Sequence, residues 1–122
     1  MEVYEISKRF PQEEKFSLTD QIRRSSRSVS GNIAEGWRKR RYAKSFIAKI
    51  TDSEGEAAET QDWLDYTLAC KYIDDPSHKA LDDKYDHIIS MVGNHGYKSR
   101  EVVNLTHTTS PFRPVTHSLS AL

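Results

Sequence analysis

Residues 21–41 read QIRRSSRSVSGNIAEGWRKRR, and the arrangement of the rest of the chain follows from them. The stretch carries Arg23, Arg24, Arg27, Arg38, Lys39, Arg40 and Arg41, with Glu35 as its only acid. Wound at about 100° per residue, it has two faces. Leu18 just upstream, Ile22, Ser26, Val29, Ile33 and Gly36 form a narrow apolar-to-small stripe. Arg23, Arg24 and Arg27 fall opposite, beside the small residues Ser30, Gly31 and Ala34. A helix that turns arginine and bare backbone away from its own core is prepared for a partner there. Ser30, Gly31 and Ala34 are the positions where a neighbouring helix can come close.

Upstream, Val3, Ile6 and Phe10 stand at i, i+3 and i+7, which predicts two turns of amphipathic helix closed by Pro11. After a polar linker, Ser17 or Thr19 is placed to cap a second helix over residues 18–35, with Gly36 as its stop. Residues 37–41 then make a short basic connection. The third helix is predicted over residues 42–71, with Ala43, Phe46, Ile47, Ile50, Ala57, Ala58, Leu64 and Leu68 on one face. Glu54, Gln61 and Asp65 interrupt that face. Asp74, Asp75 and Pro76 form a break, with Ser77 as a further capping residue. A fourth helix over residues 78–92 is expected to bury Leu81, Tyr85, Ile88 and Val92 and to end at Gly93 and Asn94. Beyond Lys98 the periodicity gives way to single hydrophobes among Ser, Thr and Pro. The expected fold is all-α: an antiparallel up-down four-helix bundle over residues 1–98. Residues 99–122 form a tail, either flexible or docked on a neighbour.

A chain of 122 residues suits one domain with a modest core. Its 18 basic and 18 acidic side chains cancel, so net charge alone points to no anionic partner. Their distribution says more. Residues 21–49 hold nine Lys and Arg against Glu35, whereas residues 50–65 hold six acids and no Lys or Arg. Such blocks bind separate partners, or each other in a neighbouring copy. A single cysteine, Cys70, excludes an intramolecular disulfide and a Cys-based zinc site, and near a helix end it reads as a small packing residue. No signal-peptide pattern follows Met1 and no apolar run approaches the ~18–20 residues of a membrane span, so a cytoplasmic protein is expected.

Two segments carry a resemblance: LTDQIRRSSRSVSGNIAEGWRKRR (residues 18–41) and FIAKITDSEGEAAETQDWL (residues 46–64). With Gln21-Ile22-Arg23-Arg24, Asn32-Ile33-Ala34-Glu35-Gly36 and Glu59-Thr60-Gln61, the chain resembles a bacterial four-helix-bundle family of ribosomal RNA intervening-sequence proteins. That family is related to the accessory variability determinant of diversity-generating retroelements. The resemblance implies an antiparallel four-helix bundle assembled as a homo-oligomeric ring, commonly a pentamer. In the retroelement branch it further implies a basic surface that binds nucleic acid and a reverse transcriptase.

The basic residues Arg23, Arg24, Arg27, Arg38, Lys39, Arg40, Arg41 and Lys44 are the candidate nucleic-acid surface. Arginine holds phosphate by charge and by a planar donor fork, and several together give salt-sensitive, sequence-tolerant affinity. Their other use is as a solvated face, or as partners of the acidic block in assembly. Trp37 beside them is a possible base-stacking residue, but its place at the edge of the apolar stripe reads more simply as core rim. Glu54 and Gln61 on the apolar face need buried polar partners, for which Arg24 or Asn32 on the second helix are suited.

Nothing in the sequence has the pattern of a catalytic site or a resident cofactor. Inward Glu-x-x-His pairs of di-iron bundles do not occur. His78, Asp82 and Asp86, at i, i+4 and i+8, read as a wet helix face rather than a metal site. Gly93-Asn94-His95-Gly96 matches a G-x-x-G loop but lacks the sheet that such a loop requires. The expectation is a non-catalytic nucleic-acid-binding accessory protein. Its competitor is a structural oligomer or protein-interaction scaffold.

Overall fold

The computed structural model describes residues 2–106, with side chains through Gly96. Four α-helices follow one another: α1 (Glu2–Ser7), α2 (Leu18–Arg38), α3 (Ala43–Ala69) and α4 (Asp75–Thr106). A single 3-10 turn at Gln12–Glu14 bridges α1 and α2. No strand occurs among the described residues. The fold is an all-α bundle in which α3 packs along both α2 and α4 while the short α1 lies against α2.

Cross-helix pairs give the directions. Ser53 reaches the Val29 carbonyl, Thr60 meets Ser25, and Arg24 meets Glu59. Numbers fall along α2 as they rise along α3, so the two are antiparallel. Gln61 to Asp86 and Asp65 to His78 set α4 antiparallel to α3 in the same way.

The α2–α3 seam has a heptad spacing that its residue types conceal. On α3 the buried positions are Ile50, Ser53, Ala57, Thr60, Leu64 and Thr67, alternating by three and four. Every second one is a hydroxyl residue. Each hydroxyl has a partner: Ser53 Oγ donates to Val29 O at 2.9 Å, Thr60 Oγ1 to Ser25 Oγ at 2.8 Å, and Thr67 Oγ1 to Trp63 O at 2.7 Å. On α2 the buried set includes Leu18, Ile22, Ser25, Val29 and Gly36. Small residues on both sides bring the backbones close, and satisfied hydroxyls avoid the cost of a stranded buried donor.

Helix ends differ from expectation at four places. α1 stops at Ser7, short of Pro11, because Lys8, Arg9 and Phe10 close onto Glu5, Ile6 and Ser7 in tight i−3 turns. α2 continues through Gly36, which is buried. A Cβ built there would stand 3.2 Å from Lys49 Cβ and 3.6 Å from Ile50 Cδ1. Gly36 is needed for close approach to α3, not for termination.

α4 likewise runs through Gly93 and Asn94, and a Cβ at Gly93 would lie 3.0 Å from Glu54 Oε1. Packing against α3 holds the helix across residues that would weaken it in isolation. The helical Gly93–Gly96 segment also removes the G-x-x-G loop. α4 begins earlier than expected because Asp74, not Ser77, is the cap: its Oδ1 accepts from the Ser77 backbone N–H at 2.8 Å. Of the tail expected over residues 99–122, α4 takes residues through Thr106, and residues 107–122 lie outside the described residues.

α3 ends in a Schellman turn. The N–H groups of Lys71 and Tyr72 bond to Leu68 O and Thr67 O, and Lys71 adopts a left-handed φ of 61°. Cys70, at the C-cap, is exposed and not packed as expected. Ile33 and Ala58 are also exposed, since α3 shares its buried sides between two neighbours and α2 faces only one along its length. No described helix is long and apolar enough to cross a membrane.

Candidate nucleic-acid interface

The basic stretch divides into two regions with different surroundings. In the first half of α2, the guanidinium groups are taken up by the bundle. Arg24 Nη1 lies 3.2 Å from Glu56 Oε2 and its Nη2 lies 2.5 Å from Glu59 Oε2, both on α3. The Arg24 pairing holds the Glu59 carboxyl below the usual carboxylate range, and Glu59 in turn raises the Arg24 guanidinium. Arg23 Nε donates to Ser7 Oγ at 2.7 Å and its guanidinium sits 4.5 Å above the Tyr4 ring. Arg27 covers the same ring at 5.4 Å. Two arginines of α2 thus clamp α1 through one tyrosine, and a third ties α2 to α3.

Further along, Lys49 on α3 reaches Glu35 at 2.8 Å, which lowers the Glu35 carboxyl and raises the Lys49 ammonium. With that pair the only acid of residues 21–49 is spent. Arg38, Lys39, Arg41 and Lys44 are exposed and make no ion pair among the described residues.

The turn that carries them is well ordered by its own backbone. Lys39 N–H bonds to Glu35 O and Gly36 O, Arg40 N–H to Trp37 O, and Tyr42 N–H to Lys39 O at 2.8 Å. Tyr42 then caps α3, its carbonyl accepting from Phe46 N–H. Trp37 is 62% exposed, against its expected place at the core rim. The reason is local: α2 is still helical at Trp37, and one residue past Gly36 the side chain swings about 100° away from α3. Arg40 lies with its guanidinium 4.4 Å above the indole and donates Nη1–H to Trp37 O at 2.9 Å.

A family model described as "23S rRNA-intervening sequence protein" matches residues 1–94. The chain belongs to that family. A solved structure with the same fold is a protein of unknown function from the S23 ribosomal protein family of Bacteroides thetaiotaomicron VPI-5482. It is 27% identical, with a TM-score of 0.67 over 75% of this chain and 84% of that one. No curated protein matches the chain. This member of the intervening-sequence family therefore shares its bundle with a relative whose own role is unassigned.

The remaining expected residues are distributed as follows. Ser30, Gly31 and Ala34 are exposed on α2, and a Cβ at Gly31 would meet nothing within 4 Å. Glu54, Gln61 and Asn32 are not brought together. Glu54 lies against Gly93, and Gln61 Nε2 donates to Asp86 Oδ1 at 2.8 Å and Asp82 O at 3.2 Å, so both reach α4. Asn32 bonds back to Ser28 O within α2. Arg24 pairs instead with Glu56 and Glu59, two and five residues along α3 from Glu54 and nearer its own level. His78 pairs with Asp65 at 2.8 Å, and Asp65, His78 and Asp82 have ligand atoms within 4.8 Å of one another, whereas Asp86 is occupied by Gln61. Tyr42 was not singled out in the sequence. It is 69% exposed at the far end of the cationic turn, and its position five residues after Trp37 was the available signal.

Proposed function

We propose that this protein is a non-catalytic accessory protein that binds RNA or DNA through the α2–α3 turn and acts as a homo-oligomer. The observation that carries the reading is the state of the turn: Arg38, Lys39, Arg41 and Lys44 are solvent-exposed cations that form no ion pair among the described residues, the nearby Glu35 being bound to Lys49. Cations left free on an ordered backbone are available to displace counterions from a phosphate chain. Arg23, Arg24 and Arg27 are removed from this surface and assigned to holding the bundle together.

Repetition of the turn around a ring, a pentamer on the resemblance, would make several weak patches act as one strong site. The exposed Ser30, Gly31 and Ala34 face of α2 is the surface offered to the neighbouring copy. A reverse transcriptase as protein partner rests on the retroelement resemblance and belongs to this reading where such an enzyme is encoded nearby. Family membership supports an RNA connection.

Purified protein should retard RNA or DNA in a salt-dependent manner, and Arg38→Ala with Arg40→Ala should weaken retardation at unchanged particle mass. Unchanged affinity, or a shifted mass with no affinity to lose, would instead favour a structural scaffold.

A further inference from the structure

We infer that the α2–α3 turn selects unpaired nucleotides, so that its ligand is single-stranded nucleic acid rather than duplex. The inference rests on the reading of the turn as a nucleic-acid surface and adds the class of strand. Its basis is the placement of aromatic rings among the free cations. Trp37 precedes Arg38-Lys39-Arg40-Arg41 and Tyr42 follows them, and both rings are more than half exposed. Cations alone would serve any phosphate backbone, whereas an exposed ring held among them offers a flat surface to a base.

The Arg40 guanidinium 4.4 Å over the indole narrows the choice further. Arg40 covers one face of Trp37, and with the residue 62% exposed the opposite face is the one left to a ligand. An apolar wedge driven between base pairs of a duplex is used on both faces. A stacking platform is used on one, and the arginine behind the ring adds its charge to the stack. In a duplex the base faces are already stacked on each other, so the open indole face has nothing to receive. In a single strand a base is free to turn onto it. The turn's hydrogen bonds, through Lys39, Arg40 and Tyr42, keep the backbone under the platform in place before any strand arrives.

The same side chain lies on the helix face of Ser30 and Ala34, so a neighbouring copy is the rival occupant of Trp37. The test therefore measures affinity and mass together. Full-length protein is titrated with a 20-nucleotide RNA, a DNA of the same sequence, and the matching duplexes, across a salt series. Expected is at least ten-fold preference for the single strands. Trp37→Ala should cost single strands about ten-fold, with the salt slope unchanged because stacking releases no counterions, and Trp37→Phe should restore most of it. Duplex affinity should not change in either variant.

Equal binding of strand and duplex, both salt-dependent, would overturn the inference while leaving the turn as a nucleic-acid surface. Trp37 variants that alter particle mass would assign the ring to the neighbouring copy and also overturn it. No binding to any of the four ligands would remove the underlying reading as well.

Discussion

The two ends of α2 carry the same residue type and use it oppositely. Near its start, Arg23, Arg24 and Arg27 each find a partner on another helix: Ser7 and Tyr4 on α1, Glu56 and Glu59 on α3. At its end, Arg38, Lys39 and Arg41 form no ion pair among the described residues, and Arg40 turns back onto Trp37 of α2 and not onto α1 or α3. α1 is short and stops far from this end, and the facing turns of α3 begin with Ala43, Lys44 and Ser45, which carry no acid. An arginine cluster is thus structural or available according to what the neighbouring helix presents at the same level, not according to its own composition.

The sharpest way to break this contrast is to remove charge at each end separately. Arg38→Ala, Arg40→Ala and Arg41→Ala together should lower nucleic-acid affinity about 100-fold at low salt, reducing the log–log salt slope by roughly 2–3, with little change in melting temperature. The paired variant Arg23→Ala with Arg27→Ala should do the reverse, loosening α1 while leaving affinity within about two-fold. Equal affinity losses from the two sets would erase the distinction.

Next in size is the packing between the two ends. Gly36→Val forces side-chain atoms into Lys49 Cβ and Ile50 and should destabilise the fold by about 1–3 kcal/mol in denaturant titrations. Gly55→Ala is the control: nothing lies within 4 Å of its added Cβ, and better helix propensity should raise stability by about 0.5–1 kcal/mol.

Arg24→Ala should cost about 1 kcal/mol, since the pairs are part-exposed and screened. The pH dependence gives its signature. Glu59 has a folded-state pKa depressed chiefly by Arg24, so its contribution is present above the ordinary glutamate value and lost as pH falls through the folded one. Acid unfolding below about pH 4.5 should therefore be shallower in Arg24→Ala than in the parent. Glu35, depressed by Lys49, and Asp74, depressed by Ser77, act in the same direction and are unaffected by that change. The smallest effect is expected at Lys71, whose left-handed φ suits glycine: Lys71→Gly should stabilise by roughly 0.5 kcal/mol. A loss instead would show that the lysine side chain contributes more than its backbone costs.

Much of the fold was legible because helix periodicity is a local property. Ile22, Val29, Leu64, Leu81, Tyr85 and Val92 were placed inside by spacing alone, and all are buried. The hydroxyl half of the α3 seam was not legible, because Ser53, Thr60 and Thr67 look polar until the heptad interval joins them to Ile50, Ala57 and Leu64. Of the candidate interface, the location of the cationic turn could be read directly. The outward turn of Trp37 could not, because it depended on α2 running on past Gly36.

By itself, then, the sequence determined an all-helical chain, the order of its long helices, the core stripes and the place where positive charge accumulates. These follow from side-chain type repeated at 3.6-residue intervals, which one strand of residues can express alone. Only the tertiary structure decided that Gly36 and Gly93 lie inside helices, that Glu54 and Gln61 turn to α4, and which guanidinium groups stay free. Each of those outcomes depends on an atom supplied by another helix, at a distance of a few ångströms that no spacing along one chain encodes.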